Sequence, residues 1–278
     1  MKVKVYGCRG SIPISKNNPS SYGGNTSCIT FESMGKLLII DAGSGLIKLE
    51  AEMKGLFPGY FKDNTEPVDM IISHLHMDHI IGLSVFSPLW RKKAGVRIYT
   101  NDRNTGTLKE QIFGAFVPPY WPASMVKNAN AECITIFDKV PFQLEPFSII
   151  PFNAVHPDDT LGFVITAQNK TVAHLLDSEI AAMTEEEYSS LAERCRDVDL
   201  IIFDAAYSLE DYKKSKKGWG HSTVEDGIRL AEVSNCKKMV FSHFSYDYND
   251  DMLAEMEKKL AFDTERFFFA RDGMEIDL

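Results

Sequence analysis

The stretch SHLHMDHIIG, residues 73–82, sets three histidines and an aspartate (His74, His76, Asp78 and His79) within six consecutive positions. The run before it, VDMIIS at 68–73, is apolar and rich in branched residues, so it reads as a buried strand. The four polar side chains then fall on the turn beyond that strand and on the start of a helix. His74 and His76 share strand parity and point the same way. The turn lets Asp78 and His79 face a second point nearby. Imidazoles and a carboxylate suit zinc, which takes nitrogen and oxygen ligands at about 2.0–2.2 Å. A row of surface histidines at a helix start is the bland alternative. Four ligating side chains in six residues behind a strand make metal binding the stronger reading.

The other histidines extend the pattern. Of seven in the chain, His156 follows FNAV, His243 ends VFSH, and His221 lies in a loop closing on a helix. Asp177 ends the strand TVAHLLD and is placed to bridge two metals. His174 lies in that strand at the opposite parity and reads as a packed or surface histidine.

The rest of the chain sets the frame. Its 278 residues are 44% hydrophobic and 25% charged, an ordinary globular composition, with a formal net charge of −9. An acidic surface repels a phosphate backbone, so extended nucleic acid is disfavoured as a partner unless basic residues cluster locally. No stretch approaches the roughly 20 apolar residues of a membrane span, and MKVKVYGCRG reads as a strand rather than a signal peptide. The five cysteines are odd in number and never in a CxxC pair. They read as free thiols of a reducing cytoplasm. Strands are expected at KVKVYG, SCITF, LLIIDAG, VDMIIS, FSIIPFNAV, GFVIT, TVAHLLD, DLIIFDAA and MVFSHF. Helices are expected after Gly45 and Asp78 and near 184–195, 222–234 and 250–260. Thr184 with Glu187, and Ser222 with Glu225, fit capping boxes. Two strand-rich halves with outer helices suggest an α/β arrangement of two packed sheets, although periodicity does not separate this from a doubly wound sheet. No repeat or linker interrupts residues 1–278, so one domain is expected. The proline- and aromatic-rich segment 101–131 reads either as a loop packed on the core or as a flap over a site.

HLHMDH matches in full the H-x-H-x-D-H hallmark of the metallo-β-lactamase-fold hydrolases. GCRGSIP, YGGNTSC, IIDAGSG, the HP at 156–157, DAAYS and GWGHSTVEDG resemble segments of its phosphodiesterase-like branch, so the resemblance runs along nearly the whole chain. It implies the four-layer αββα sandwich and two zinc ions per chain, with manganese kept as an alternative. His74, His76 and His156 would hold one metal, Asp78, His79 and His243 the other, with Asp177 between them. Asp41 would orient a ligand histidine. Arg9 and Asn25 would either line the site or hold turns. Ser73 stands where the family usually has threonine, and HPDDTLG replaces a glycine-rich segment. His76 stands where the family's di-iron oxygen reductases carry glutamate, which sets redox chemistry aside.

A metal-bridged hydroxide serves lactams, thioesters and phosphodiesters alike, so the ligands do not name the substrate. The G-H-S-T segment does more. His221 resembles the histidine assigned to the scissile phosphate and leaving group in the tRNA 3′-end-processing endonuclease and in phosphoribosyl cyclic phosphate phosphodiesterase. Asp204 resembles the acid that orients it. Lactamases and glyoxalase-type thioesterases lack this segment. A phosphodiester must protonate a departing alkoxide, which calls for a general acid. His221, Asp204 and Asp78 are therefore the expected catalytic groups. Lysines 213, 214, 216 and 217 read as a solvated run before they read as phosphate contacts. The expectation is a cytoplasmic enzyme cleaving a small phosphodiester, a cyclic nucleotide or cyclic phosphate, with no membrane partner and with a homodimer left open. Behind it stand tRNA 3′-end processing, whose family carries a glycine- and proline-rich basic arm without counterpart here, then a thioesterase or lactamase, and last a metal sensor without turnover.

Overall fold

The computed structural model describes residues 1–15, 21–57, 60 and 66–278. Fourteen strands form two seven-stranded sheets. In chain order they are β1 (Lys2–Gly7), β2 (Cys28–Ser33), β3 (Lys36–Ile40), β4 (Val68–Ile71), β5 (Val96–Thr100), β6 (Ala131–Thr135), β7 (Phe142–Leu144), β8 (Phe147–Asn153), β9 (Leu161–Ala167), β10 (Lys170–Leu175), β11 (Leu200–Asp204), β12 (Met239–Ser242), β13 (Phe267–Phe269) and β14 (Glu275–Asp277). The first sheet has the order β14-β1-β2-β3-β4-β5-β6 and the second β13-β12-β11-β10-β9-β8-β7.

Strand alternation divides the core. In β3, Leu38 and Ile40 join the apolar cluster shared by both sheets. Leu37 and Ile39 point outward, into a second cluster with Leu46, Leu49 and Met53 of the helix Gly45–Leu56. Across the second sheet, Leu191, Leu230 and Leu253 cover the far side from the helices Glu185–Arg194, Val224–Ser234 and Asp250–Lys258. Helix, sheet, sheet and helix therefore stack as four layers, each burying one apolar face.

Each sheet is half antiparallel and half parallel. In the first, β3, β4, β5 and β6 run parallel; in the second, β10, β11, β12 and β13 do. The carboxyl ends of these parallel strands gather at one edge of the sandwich. β8 is antiparallel to β9, which is antiparallel to β10, so β8 also ends there. In 101–131, Phe113 and Phe116 are buried in the outer cluster of the first sheet, while Tyr120 stands 83% exposed.

One expected cap is displaced. Thr184 and Glu187 form their capping box, but the helix at Val224 starts on Thr223, whose side chain exchanges bonds with Asp226. Ser222 instead donates to the carbonyl of Ser178 and accepts from the N–H of Ile180 at 3.0 Å. The neighbouring hydroxyl takes the cap because Ser222 is spent on joining two loops. All five cysteines are free thiols, and among the described residues no helix is long and apolar enough to cross a membrane.

His174 is packed, not exposed. Its ring is buried beside Phe163, neither nitrogen has a hydrogen-bond partner, and burial pushes it down to about 4. The unfolded chain takes up that proton as pH falls through about 6.5, whereas the folded chain resists until about 4. The stability this provides is full above 6.5 and is lost on acidification between those values. Between pH 7 and pH 5 it amounts to about 2 kcal/mol. Urea unfolding at the two pH values should show His174→Leu losing less stability on acidification than the parent by that order.

Candidate metal centre

The strand ends deliver the polar residues, and an unusual backbone turn aims several of them. Asp41 after β3, Asp177 after β10 and His243 after β12 all adopt left-handed φ, of 61°, 53° and 64°. Asp, Asn and His tolerate this region better than other side chains, and such residues gather at functional sites. His74, His76, Asp78 and His79 follow β4, and His156 follows β8. Gly10 and Gly220 permit the close approach of two rings. A Cβ on Gly10 would stand 2.5 Å from the His243 ring, and one on Gly220, whose φ is +87°, would stand 2.1 Å from that of His156.

Three overlapping donor groups result, the third being Asp177, His221 and His243. His74, His76, His156 and Asp177 bring one donor atom each within 4.8 Å of one another, as do Asp78, His79 and His243. Around the second group, His79 Nε2 lies 3.2 Å from His243 Nε2, 3.1 Å from Asp177 Oδ2 and 3.4 Å from Asp78 Oδ2. His243 Nε2 lies 3.2 Å from Asp78 Oδ2 and 3.3 Å from Asp177 Oδ2. Donors placed tetrahedrally about 2.0–2.1 Å from a zinc ion stand about 3.3 Å apart. The buried His74 Nε2 and Asp177 Oδ2 have no hydrogen-bond partner. Spacing and orphaned atoms thus both fit divalent cations at these residues.

The surroundings set tautomers and charge. Asp41 accepts from the Ser73 N–H at 2.8 Å, from its hydroxyl at 2.9 Å, and from His79 Nδ1 at 2.8 Å. A carboxylate only accepts, so His79 carries its proton on Nδ1 and turns Nε2 to the site. Burial, and then the neighbouring imidazole of His79, hold His74 well below the usual histidine range. Burial opposes charge on Asp177, but His243, His79 and His74 outweigh it and keep the carboxyl well below its usual range. The half-exposed His76 has its Nε2 2.6 Å from Asp158 Oδ2.

His221 and Asp204 stand beside this cluster. His221 Nδ1 donates to Asp204 Oδ2 at 2.8 Å, and the ring stacks on His243 with centroids 5.0 Å apart. Burial would lower the imidazole, but Asp204, through charge and hydrogen bond, outweighs it and pushes His221 up to about 9. Asp204 also accepts from the N–H groups of Ala206 at 2.9 Å and Ser178 at 3.3 Å. The cleft above holds about 320 Å³ and is lined by Ser11, His76, Met77, Asp78, His156, Pro157, Asp177, Tyr207, Trp219 and His221.

Arg9 and Asn25 do not line it. Arg9 is fully buried and donates to the carbonyls of Gly23 and Tyr248, while Asn25 joins Ser44 to Asp272. Both hold loops together. Three contributors went unread in the sequence. The Ser11 N–H donates to Asp78 Oδ2 at 2.7 Å. Asp158 pairs with His76. Glu179 accepts from Tyr212 Oη at 2.7 Å and from the N–H groups of Gly218 at 2.8 Å and Gly220 at 2.9 Å. Only the Asp-Asp pair after His156 carried a local signal.

A model of the beta-lactamase superfamily domain matches residues 37–244. The chain belongs to the beta-lactamase superfamily. Ribonuclease Z of Azobacteroides pseudotrichonymphae is 25% identical over 92% of this chain and 93% of its own length. Ribonuclease Z of Haloarcula marismortui is 21% identical over 99% and 96%. The crystal structure of the metallo-beta-lactamase fold protein YhfI from Bacillus subtilis superposes with a TM-score of 0.69 at 20% identity, covering 99% of both chains. The αββα sandwich of this chain is that fold.

Asp177 belongs to the first group and stands 3.1 and 3.3 Å from His79 and His243 of the second, so removing it should empty the centre. Protein prepared without chelators is expected to hold close to two equivalents of metal by mass spectrometry, and Asp177→Ala well under one. A stable, fully active species with a single equivalent would refute the dinuclear arrangement.

Proposed function

We propose that this chain is a dinuclear metal-dependent phosphodiesterase acting on nucleotide diesters, with an RNA 3′ end as the leading substrate. The carrying observation is the His221–Asp204 pair beside the first two donor groups. Divalent cations held by His74, His76 and His156, by Asp78, His79 and His243, and by Asp177 between them would acidify water and offset charge on the phosphoryl oxygens. Zinc suits this nitrogen-rich set, and manganese is the alternative.

The residues supply the rest. Asp204 fixes the His221 tautomer and favours its protonated form, so the ring holds a proton within the cleft. Protonating a departing ribose oxygen is the step for which a lactamase or thioesterase has no use. His243, stacked on the same ring, limits its rotation.

Two observations favour RNA over the small cyclic diester that the net charge suggests. Relatives matched over nearly their whole length are named ribonuclease Z. Lys216 of the lysine run also stands beside the cleft, its Nζ 5.1 Å from the ring of Tyr207 and 4.1 Å from that of Trp219. A polyanion responds to local charge more than to the total. The small diester remains the second reading, supported by the net charge of −9 and the lack of a glycine- and proline-rich basic arm in the sequence.

Precursor tRNA and a panel of cyclic mononucleotides, assayed with zinc- and manganese-loaded protein, separate the two. Cleavage of the RNA trailer with a steep loss of affinity between 50 and 200 mM salt is expected for the first reading. Turnover of cyclic nucleotides alone, with a flat salt response, would replace it with the second.

The general acid has its own signature. His221→Ala should cost on the order of 10²–10⁴ in rate on a diester with a ribose leaving group. The loss should be markedly smaller on a nitrophenyl phosphodiester, whose leaving group departs as an anion. Equal losses on both would assign His221 to phosphate binding instead.

A further inference from the structure

One exposed aromatic at the cleft is held too firmly to be incidental surface. Trp219 is 53% exposed and lines the cleft with His221 and Tyr207. Gly218 and Gly220, on either side of it, have φ of +79° and +87°. Both of their N–H groups donate to the single buried carboxylate of Glu179, which also takes the Tyr212 hydroxyl. The indole is therefore presented from a backbone pinned before and after it. Lys216 lies 4.1 Å from the ring centroid on one face, and Tyr207 meets it edge-on with centroids 6.5 Å apart. More than half of its surface still stays open. A ring held in place with its remaining surface open lowers the entropy cost of receiving a planar ligand.

We infer that Trp219 is a specificity-determining residue that stacks the nucleobase next to the scissile phosphate, with Lys216 holding the indole in its receiving orientation. The inference rests on the phosphodiesterase reading above. It adds that the substrate is recognised through a base, not through its phosphate alone. Stacking of this kind tolerates any base, because every base has a π face. Trp219 lines the same cleft as His221, so a base held there lies beside the proton donor.

The test pairs substrates with and without a base. Adenosine 2′,3′-cyclic phosphate is set against glycerol 1,2-cyclic phosphate. A trailer-bearing RNA is set against the same RNA with abasic nucleotides flanking the scissile bond. Trp219→Ala should raise KM about 5- to 100-fold on the base-bearing member of the pair that is turned over. It should leave kcat, metal content and the base-free member close to the parent values, and Trp219→Phe should restore most of the loss. Equal effects on both members would overturn the inference while leaving the phosphodiesterase reading intact. If the parent turns over none of these substrates, that reading falls instead. Calorimetric titration of metal-loaded protein with AMP then decides the inference alone. Weakening by the same factor in Trp219→Ala supports it, and unchanged or absent binding in the parent sinks it.

Discussion

Four aspartates are buried at one edge of the sandwich, and their charge is the constraint around which the rest is arranged. Asp41, Asp78, Asp177 and Asp204 are each at most 5% exposed. Burying a carboxylate costs several kcal/mol even after relaxation, unless donors or a cation offset it. Asp41 is met by Ser73 and His79, and Asp204 by His221, Ser178 and Ala206. Asp78 has the Ser11 N–H, but Asp177 Oδ2 has no hydrogen-bond partner. Asp78 and Asp177 instead depend on the imidazoles of His79 and His243 around them. Divalent cations bound there would serve as counter-charge to the fold as well as for the chemistry proposed above.

The topology makes such a concentration achievable. Parallel strands of both sheets end at the same edge, so residues far apart in sequence arrive without long loops. Left-handed residues then swing side chains across the strand ends. An amide at a helix N-terminus or a surface loop would hold these groups less rigidly. The strain of three non-glycine left-handed residues is about 1–3 kcal/mol each, and strand pairing on both sides over-determines them.

Much of this was legible in the sequence, for identifiable reasons. HLHMDH marked a candidate metal site because four of its potential ligands are local, and the structure brings those four residues together with Asp177, His156 and His243. Nine strands were legible because their apolar, β-branched runs end in turn residues. β5, β6, β7, β13 and β14 were not. Three of these have only three residues, and β5 carries Arg97, whose side chain pairs with Asp69 across to β4 at 2.7 and 2.6 Å. A charged pair on a strand face erases the apolar run that reveals a strand. The capping residue slipped from Ser222 to Thr223 because adjacent hydroxyls present the same local pattern, and only a contact with Ser178, 44 residues away, tells them apart. Glu179 was invisible for the same reason: its partners begin 33 residues downstream.

Glu179 also explains how one fold can serve different substrates. It lies two residues beyond Asp177, and the amides it holds frame Trp219 and precede His221. Ser222 binds back to Ser178 and Ile180. Asp177, His221 and Trp219, the residues proposed as metal ligand, proton donor and base platform, thus belong to one hydrogen-bonded unit joining the end of β10 to the start of the helix at Val224. Asp177 and His221 of that unit are buried, whereas the chain between Tyr212 and Gly220 is largely exposed. Substitutions there meet few packing constraints. Substrate class can therefore change through this loop while the buried carboxylates, which fix the chemistry, stay where the strand ends put them.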